Sequence, residues 1–154
     1  MIIETLIRQG SRVLKANNIA SHSIDSEILM SKTLGKDREY IILNINDNLK
    51  KEDYDYFQQL VTARSKGKPI AQITGKKFFW KDEFDISENI LIPRPDTELI
   101  VEQVLKITKN KKCLRILDIG IGSGCMLLSI LREKKYFFGT GIDISPDCLK
   151  ISKI

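Results

Sequence analysis

The chain has 154 residues, 42% hydrophobic and 29% charged, the composition of a folded protein and not of a disordered tail. Its 25 Lys and Arg against 20 Asp and Glu leave a formal charge of +5, but the cations are scattered over the whole length, a weak basis for nucleic-acid binding. The cysteines, Cys113, Cys125 and Cys148, fit neither a disulfide framework nor a Cys-x-x-Cys metal knuckle, so they read as reduced thiols.

Apolar stretches such as residues 125–131 fall far short of the roughly 18 residues that a membrane helix needs. Glu4 and Arg8 interrupt the N-terminal aliphatics, so no secretory core opens the chain and a cytoplasmic protein is expected.

From Ile3, apolar residues recur as Ile3, Leu6, Ile7, Val13 and Leu14, predicting an amphipathic helix. Ser23 is placed to cap a second helix carrying Ile24, Ile28, Leu29 and Leu34, which Gly35 ends; His22, in the loop before it, reads as solvated surface. A short helix over residues 37–43 follows. A fourth helix begins near Lys50, carries Tyr54, Phe57, Leu60, Val61 and Arg64, and is stopped by Gly67 and Pro69. Residues 1–67 thus read as a helical bundle. Residues 68–92 read as a linker containing a β-hairpin, because residues 77–86 alternate apolar and polar side chains about a Lys81-Asp82 centre.

Two prolines keep residues 90–95 extended before Asp96 or Thr97 starts a helix with Leu99, Val101, Val104 and Leu105. Residues 114–119 then read as a buried strand, 120–124 as a loop, 125–134 as a helix and 137–142 as a second strand, one βαβ unit of an α/β domain spanning 93–154. Ser145-Pro146 is a helix start. A parallel sheet of two strands cannot bury both its faces, so the sequence predicts the incomplete start of a longer doubly wound domain.

The chemistry concentrates in Asp118-Ile119-Gly120-Ile121-Gly122-Ser123-Gly124, at the end of a strand and the opening of a helix. Three glycines in five positions allow a tight turn and let a ligand lie against the main chain. Asp143 closes the second strand 19 residues after Gly124, where a carboxylate can accept hydrogen bonds from ribose hydroxyls. A dinucleotide fingerprint asks for Gly or Ala where Cys125 stands, and no Lys-Ser or Lys-Thr follows the glycines as in a P-loop. The acidic-x-Gly-x-Gly-x-Gly form instead resembles motif I of class I S-adenosylmethionine (SAM) methyltransferases, whose cationic cofactor suits Asp118. One histidine excludes a histidine-based nucleophile triad, and no metal site is expected.

The whole chain resembles the HemK/PrmC-type N5-glutamine methyltransferases of peptide chain release factors. The resemblance is carried by the helical N-terminus, by residues 67–75 (Gly-Lys-Pro-Ile-Ala-Gln-Ile-Thr-Gly), by Phe78-Phe79-Trp80, by residues 91–98 (Leu-Ile-Pro-Arg-Pro-Asp-Thr-Glu) and by the glycine loop. It implies a Rossmann-like SAM domain behind a helical substrate-recognition domain. It also implies methyl transfer from SAM to the glutamine amide nitrogen of a release factor's Gly-Gly-Gln loop, by a monomer when complete.

Carried over by position, Gly120, Ile121, Gly122, Ser123 and Gly124 would lie against the cofactor and Asp143 would hold its ribose, while Arg94 and Thr97 flank the methionine end. The family's Asn-Pro-Pro-Tyr motif, which orients the substrate amide, does not occur in this sequence, so no catalytic residue is assigned. Trp80 and the nearby phenylalanines read as hairpin packing. The alternatives are a non-catalytic remnant or binding module, and a nucleic-acid amino-methyltransferase.

Overall fold

The computed structural model describes residues 1–152 and divides the chain into two compact units, Met1–Thr74 and the residues from Gly75 onward. The expected boundary at 67/68 is thereby moved. Residues assigned to the linker form a short helix, α5 (Ile70–Thr74), whose Ile70 and Ile73 pack on the first unit's core.

The first unit is built from α1 (Ile3–Ala16), α2 (His22–Leu34), α3 (Arg38–Leu43), α4 (Lys51–Ser65) and α5. Its core gathers Leu6, Leu14, Leu29, Met30, Ile41, Phe57 and Val61. Burial of each large side chain there is worth about 1.5–3 kcal/mol. Gly10 is what lets α1 approach so closely, since a Cβ there would stand 2.7 Å from Ser26 Oγ and 2.9 Å from Phe57 Cζ.

The helices of this bundle were legible, but some of their faces were not. Val13 is exposed and Gly10 takes its place on the buried stripe of α1. Ile24 is exposed as well, and α2 buries Asp25, Ser26 and Thr33 beside Leu29 and Met30. These polar groups are satisfied: Ser26 Oγ donates to Ile7 O at 2.7 Å, Thr33 Oγ1 donates to Leu29 O at 2.8 Å, and Asp25 Oδ2 accepts from Arg64 Nε at 2.6 Å. Helix α2 also starts earlier than expected. Ser21 stands at its N-cap position, and His22 is its half-buried first residue, with Nδ1 2.8 Å from Ser11 Oγ, instead of a solvated loop residue.

The second unit opens with an antiparallel hairpin of β1 (Lys76–Phe79) and β2 (Asp82–Asp85). Phe79 pairs with Asp82, so the turn is Trp80-Lys81, one residue before the expected centre. A 3₁₀ turn over Pro95–Thr97 leads into α6 (Glu98–Ile107). Next come β3 (Arg115–Ile119), α7 (Cys125–Glu133), β4 (Phe138–Ile142) and α8 (Pro146–Ile151), which Ser145 caps by accepting the N–H of Cys148.

Strands β3 and β4 pair in parallel, Arg115 with Phe138 through Ile119 with Ile142. The fold is thus mixed helix and strand, with N-terminal helices and two small sheets. One face of the parallel pair is covered by α7, where Gly139 meets Leu127 and Leu131 and Gly141 meets Ile121. The other presents Leu117, Ile119, Phe138 and Ile142 exposed.

Phe79 and Phe84 pack edge to face, with centroids 6.2 Å apart, in a core with Val101, Cys125, Ile130 and Phe137, and Trp80 packs against the same core. Phe78, on the other face of β1, is exposed. The segment after the hairpin packs Ile86, Ile90 and Ile92 on Cys148 and Ile151 of α8, and Asn89 Nδ2 donates to Asp147 Oδ2 at 2.8 Å. Among the described residues the cysteines are free, with Cys113 exposed and Cys125 and Cys148 buried.

Candidate cofactor site

The glycine loop lies where β3 and β4 end, the side on which open α/β sheets bind ligands. It leaves β3 with two main-chain bonds to one acceptor: Gly120 N–H at 2.8 Å and Ile121 N–H at 3.0 Å both donate to Ile142 O. Gly124 N–H then donates to Ile121 O at 2.8 Å, and α7 begins at Cys125.

Gly120, Gly122 and Gly124 have φ of 83°, 56° and 82°, a region that side-chain-bearing residues rarely enter. They are not equivalent. A Cβ on Gly124 would lie 2.8 Å from Leu128 Cδ1, so that glycine serves packing; a Cβ on Gly120 or Gly122 would meet nothing within 4 Å. Those two open onto free space that a side chain would fill.

Two carboxylates flank this opening in opposite electrostatic situations. Asp143 uses both oxygens: Oδ2 accepts Gly122 N–H and Oδ1 accepts Ser145 N–H, each at 2.9 Å. These amides, Ser145 first, hold its carboxyl below the ordinary carboxylate range. Asp118, opposite Gly141 in the sheet register, is half-buried, and its Oδ2 is buried with no partner among the described residues. Burial, and secondarily the nearby Asp143 charge, pushes the Asp118 carboxyl up. Ser123 is buried beside Cys125, whose thiol is pushed up by burial, an effect partly offset by its interaction with the Ser123 hydroxyl.

An open loop face beside a carboxylate oxygen with no partner among the described residues suits a ligand that brings cationic donors. Among the described residues no group of His, Cys, Asp and Glu is placed to hold a metal ion.

The structure therefore brings together Asp118, Gly120, Ile121, Gly122, Ser123, Gly124 and Asp143. Arg94 and Thr97 stand apart from that constellation in their bonding. Arg94 is exposed at the start of the 3₁₀ turn, where its carbonyl accepts Thr97 N–H at 3.0 Å. Thr97 is half-buried, and among the described residues no hydrogen bond or ion pair joins either residue to the loop.

Two contributors escaped the sequence reading, the Ile142 carbonyl and the Ser145 amide. Ser145 carried a readable signal, because an aspartate two residues before a serine favours a local side-chain-to-amide turn. A separate cavity of about 730 Å³, lined by Lys111, Lys112, Lys134, Tyr136 and Phe138 among others, lies at the opposite ends of the strands and takes no part in this site.

Comparison with known proteins extends the picture beyond geometry. The PrmC N-terminal domain profile matches residues 5–75. The release factor glutamine methyltransferase of Clostridium botulinum is 40% identical over 130 residues, 84% of this chain and 46% of the relative. That of Buchnera aphidicola subsp. Schizaphis graminum is 40% identical over 143 residues, 92% of this chain and 51% of the relative. That of Clostridium acetobutylicum is 37% identical over 158 residues, 100% of this chain and 54% of the relative. The chain spans about half the length of the curated relatives it matches. No helix among the described residues is long and apolar enough to cross a membrane. Residues 5–75 thus match the PrmC N-terminal domain, and most of this chain is similar in sequence to release factor glutamine methyltransferases.

Proposed function

We propose that this chain provides the SAM-binding portion of a cytoplasmic methyltransferase that modifies the glutamine side-chain amide of peptide chain release factors. The second unit is then the start of a Rossmann-like class I methyltransferase domain, and the helical unit is the module that recognises the release factor. The observation that carries this reading is the pairing of an open glycine loop with Asp118, whose buried Oδ2 lacks a partner among the described residues. The relatives' names favour neither the remnant nor the nucleic-acid alternative.

In this reading Gly120 and Gly122 admit the cofactor against the main chain, Asp118 and Ser123 face its cationic methionine end, and Asp143 serves its ribose. Arg94 and Thr97 flank the same end. When bound, SAM supplies an electrophilic methyl group on a sulfonium centre.

The chain's own residues do the rest by placement. The loop is held in advance by Ile142 O and Asp143, so little ordering is left for the moment of binding. Burial disfavours the ionised Asp118 carboxyl, and a cationic donor placed against Oδ2 would favour it. The glutamine amide is a weak nucleophile, and the Asn-Pro-Pro-Tyr motif that orients it in similar enzymes is not in residues 1–154. Methyl transfer is therefore proposed of the protein extended to its relatives' length.

Calorimetry with SAM on the 154-residue chain tests the cofactor reading, with saturable binding weakened by Asp118→Asn expected. Absence of binding overturns it. For the extended protein, mass spectrometry should find one methyl group on the Gly-Gly-Gln glutamine of a release factor, and an unmodified glutamine after incubation with SAM would overturn the substrate assignment.

A further inference from the structure

Trp80, in the turn between β1 and β2, has φ +59°, in the left-handed region that a bulky residue seldom occupies. Carboxylates from three elements brace this turn. Glu98 Oε1 accepts the main-chain N–H of Trp80 at 2.9 Å. Glu133 Oε1 accepts the indole Nε1–H at 3.1 Å and pairs with Lys81 Nζ at 2.5 Å, and Asp82 pairs with Arg132. Lys81 Nζ also stands 5.9 Å from the Trp80 ring centroid. Glu98 is the first residue of α6, directly after Arg94–Thr97, and Glu133 is the last residue of α7, the helix that starts at the glycine loop. The turn is thus tied to the beginning of one helix and the end of the other.

An acidic residue at the first helical position is favourable simply because it faces the positive end of the helix dipole. That accounts for the charge of Glu98 but not for its reach to an amide eighteen residues earlier. We infer that Glu98 is a positioning residue: by accepting the Trp80 amide it fixes the hairpin turn against the start of α6, and so sets where Arg94–Thr97 lies. The part concerning Arg94–Thr97 rests on the reading of that segment given under the proposed function.

Charge and reach are separable by substitution. Glu98→Asp keeps the charge at the helix start and shortens the side chain by one methylene; Glu98→Gln keeps the length and removes the charge. Hydrogen exchange of the Trp80 amide, followed by NMR in the 154-residue chain, reads the bond directly. Loss of a hydrogen bond to a charged acceptor corresponds to about a tenfold fall in protection, expected for Glu98→Asp and largely rescued in Glu98→Gln.

A role confined to the helix dipole gives the reverse order, with Asp tolerated and Gln weakened, and that result overturns the inference. Glu133→Gln is the folded control and should leave Trp80 amide protection unchanged; an equal fall there also overturns it. SAM affinity supplies the positioning readout, several-fold weaker in Glu98→Asp and restored in Glu98→Gln. Unchanged affinity alongside lost protection reduces Glu98 to a purely structural contact and refutes the positioning role. A wild-type chain that binds no SAM refutes the reading of the site and the positioning role with it, while amide exchange still decides the bond.

Discussion

Asp143 Oδ2 accepts the main-chain N–H of Gly122 at 2.9 Å, so the residue that ends one strand holds the loop that follows the other. Its second oxygen holds Ser145 N–H at the start of α8. One carboxylate therefore couples β4, the glycine loop and the last described helix.

This coupling gives Asp143 a pH signature. Its folded-state pKa is depressed, so its contribution to stability is fully present above the unfolded value, about 3.9, and is lost as pH falls through the lower folded value. Urea denaturation should find Asp143→Ala less stable than wild type at neutral pH, with the gap closing only in strongly acidic solution. A gap independent of pH contradicts the bonding described.

Asp118 has the opposite sign. A raised folded pKa means that its ionised form is disfavoured in the native state, a cost present in full above that value and relieved as pH falls through it. Asp118→Asn should raise the Tm of the ligand-free chain at neutral pH, with the gain shrinking toward acid. The same variant should bind SAM more weakly, so stability and affinity move in opposite directions.

The loop glycines should separate in the same way. Gly122→Ala meets no atom and costs only the strain of a positive φ, about 1 kcal/mol. Gly124→Ala adds a contact 2.8 Å from Leu128 Cδ1 and should cost about 2–3 kcal/mol. Thermal denaturation ranks the two. SAM binding should fall at least about tenfold in Gly122→Ala despite its milder destabilisation, because its Cβ projects into the opening.

In the helical unit, Asp25 and Arg64 form a pair whose side chains are only 4% and 15% exposed, with Ser21 Oγ also donating to Asp25. Asp25→Ala leaves a mostly buried guanidinium unpaired and should destabilise the chain by about 3 kcal/mol, measured by chemical denaturation. Removing both partners should cost less than the sum of the single changes.

The sequence by itself was enough to place helices α1 to α4, the hairpin, the βαβ order and the glycine loop, because each rests on local signals. Those signals are helical apolar spacing, period-two alternation, proline before a helix and glycine at positive φ. Helix α5 was missed because five residues after a proline are too few to show a period.

Contacts between distant segments decided the rest. Val13 yielded its buried place to Gly10 because α1 lies against Ser26 and Phe57, which no local pattern reports. The buried Asp25 reads as surface until Arg64 is found thirty-nine residues away. Only the folded chain, with Asp118 beside Gly141 in the parallel register and Asp143 bonded to Gly122, could show that of two similar aspartates one accepts amides on both oxygens and the other has an oxygen without a partner among the described residues. A carboxylate's state depends on the groups that folding brings within hydrogen-bond reach, and chain order alone does not supply those distances.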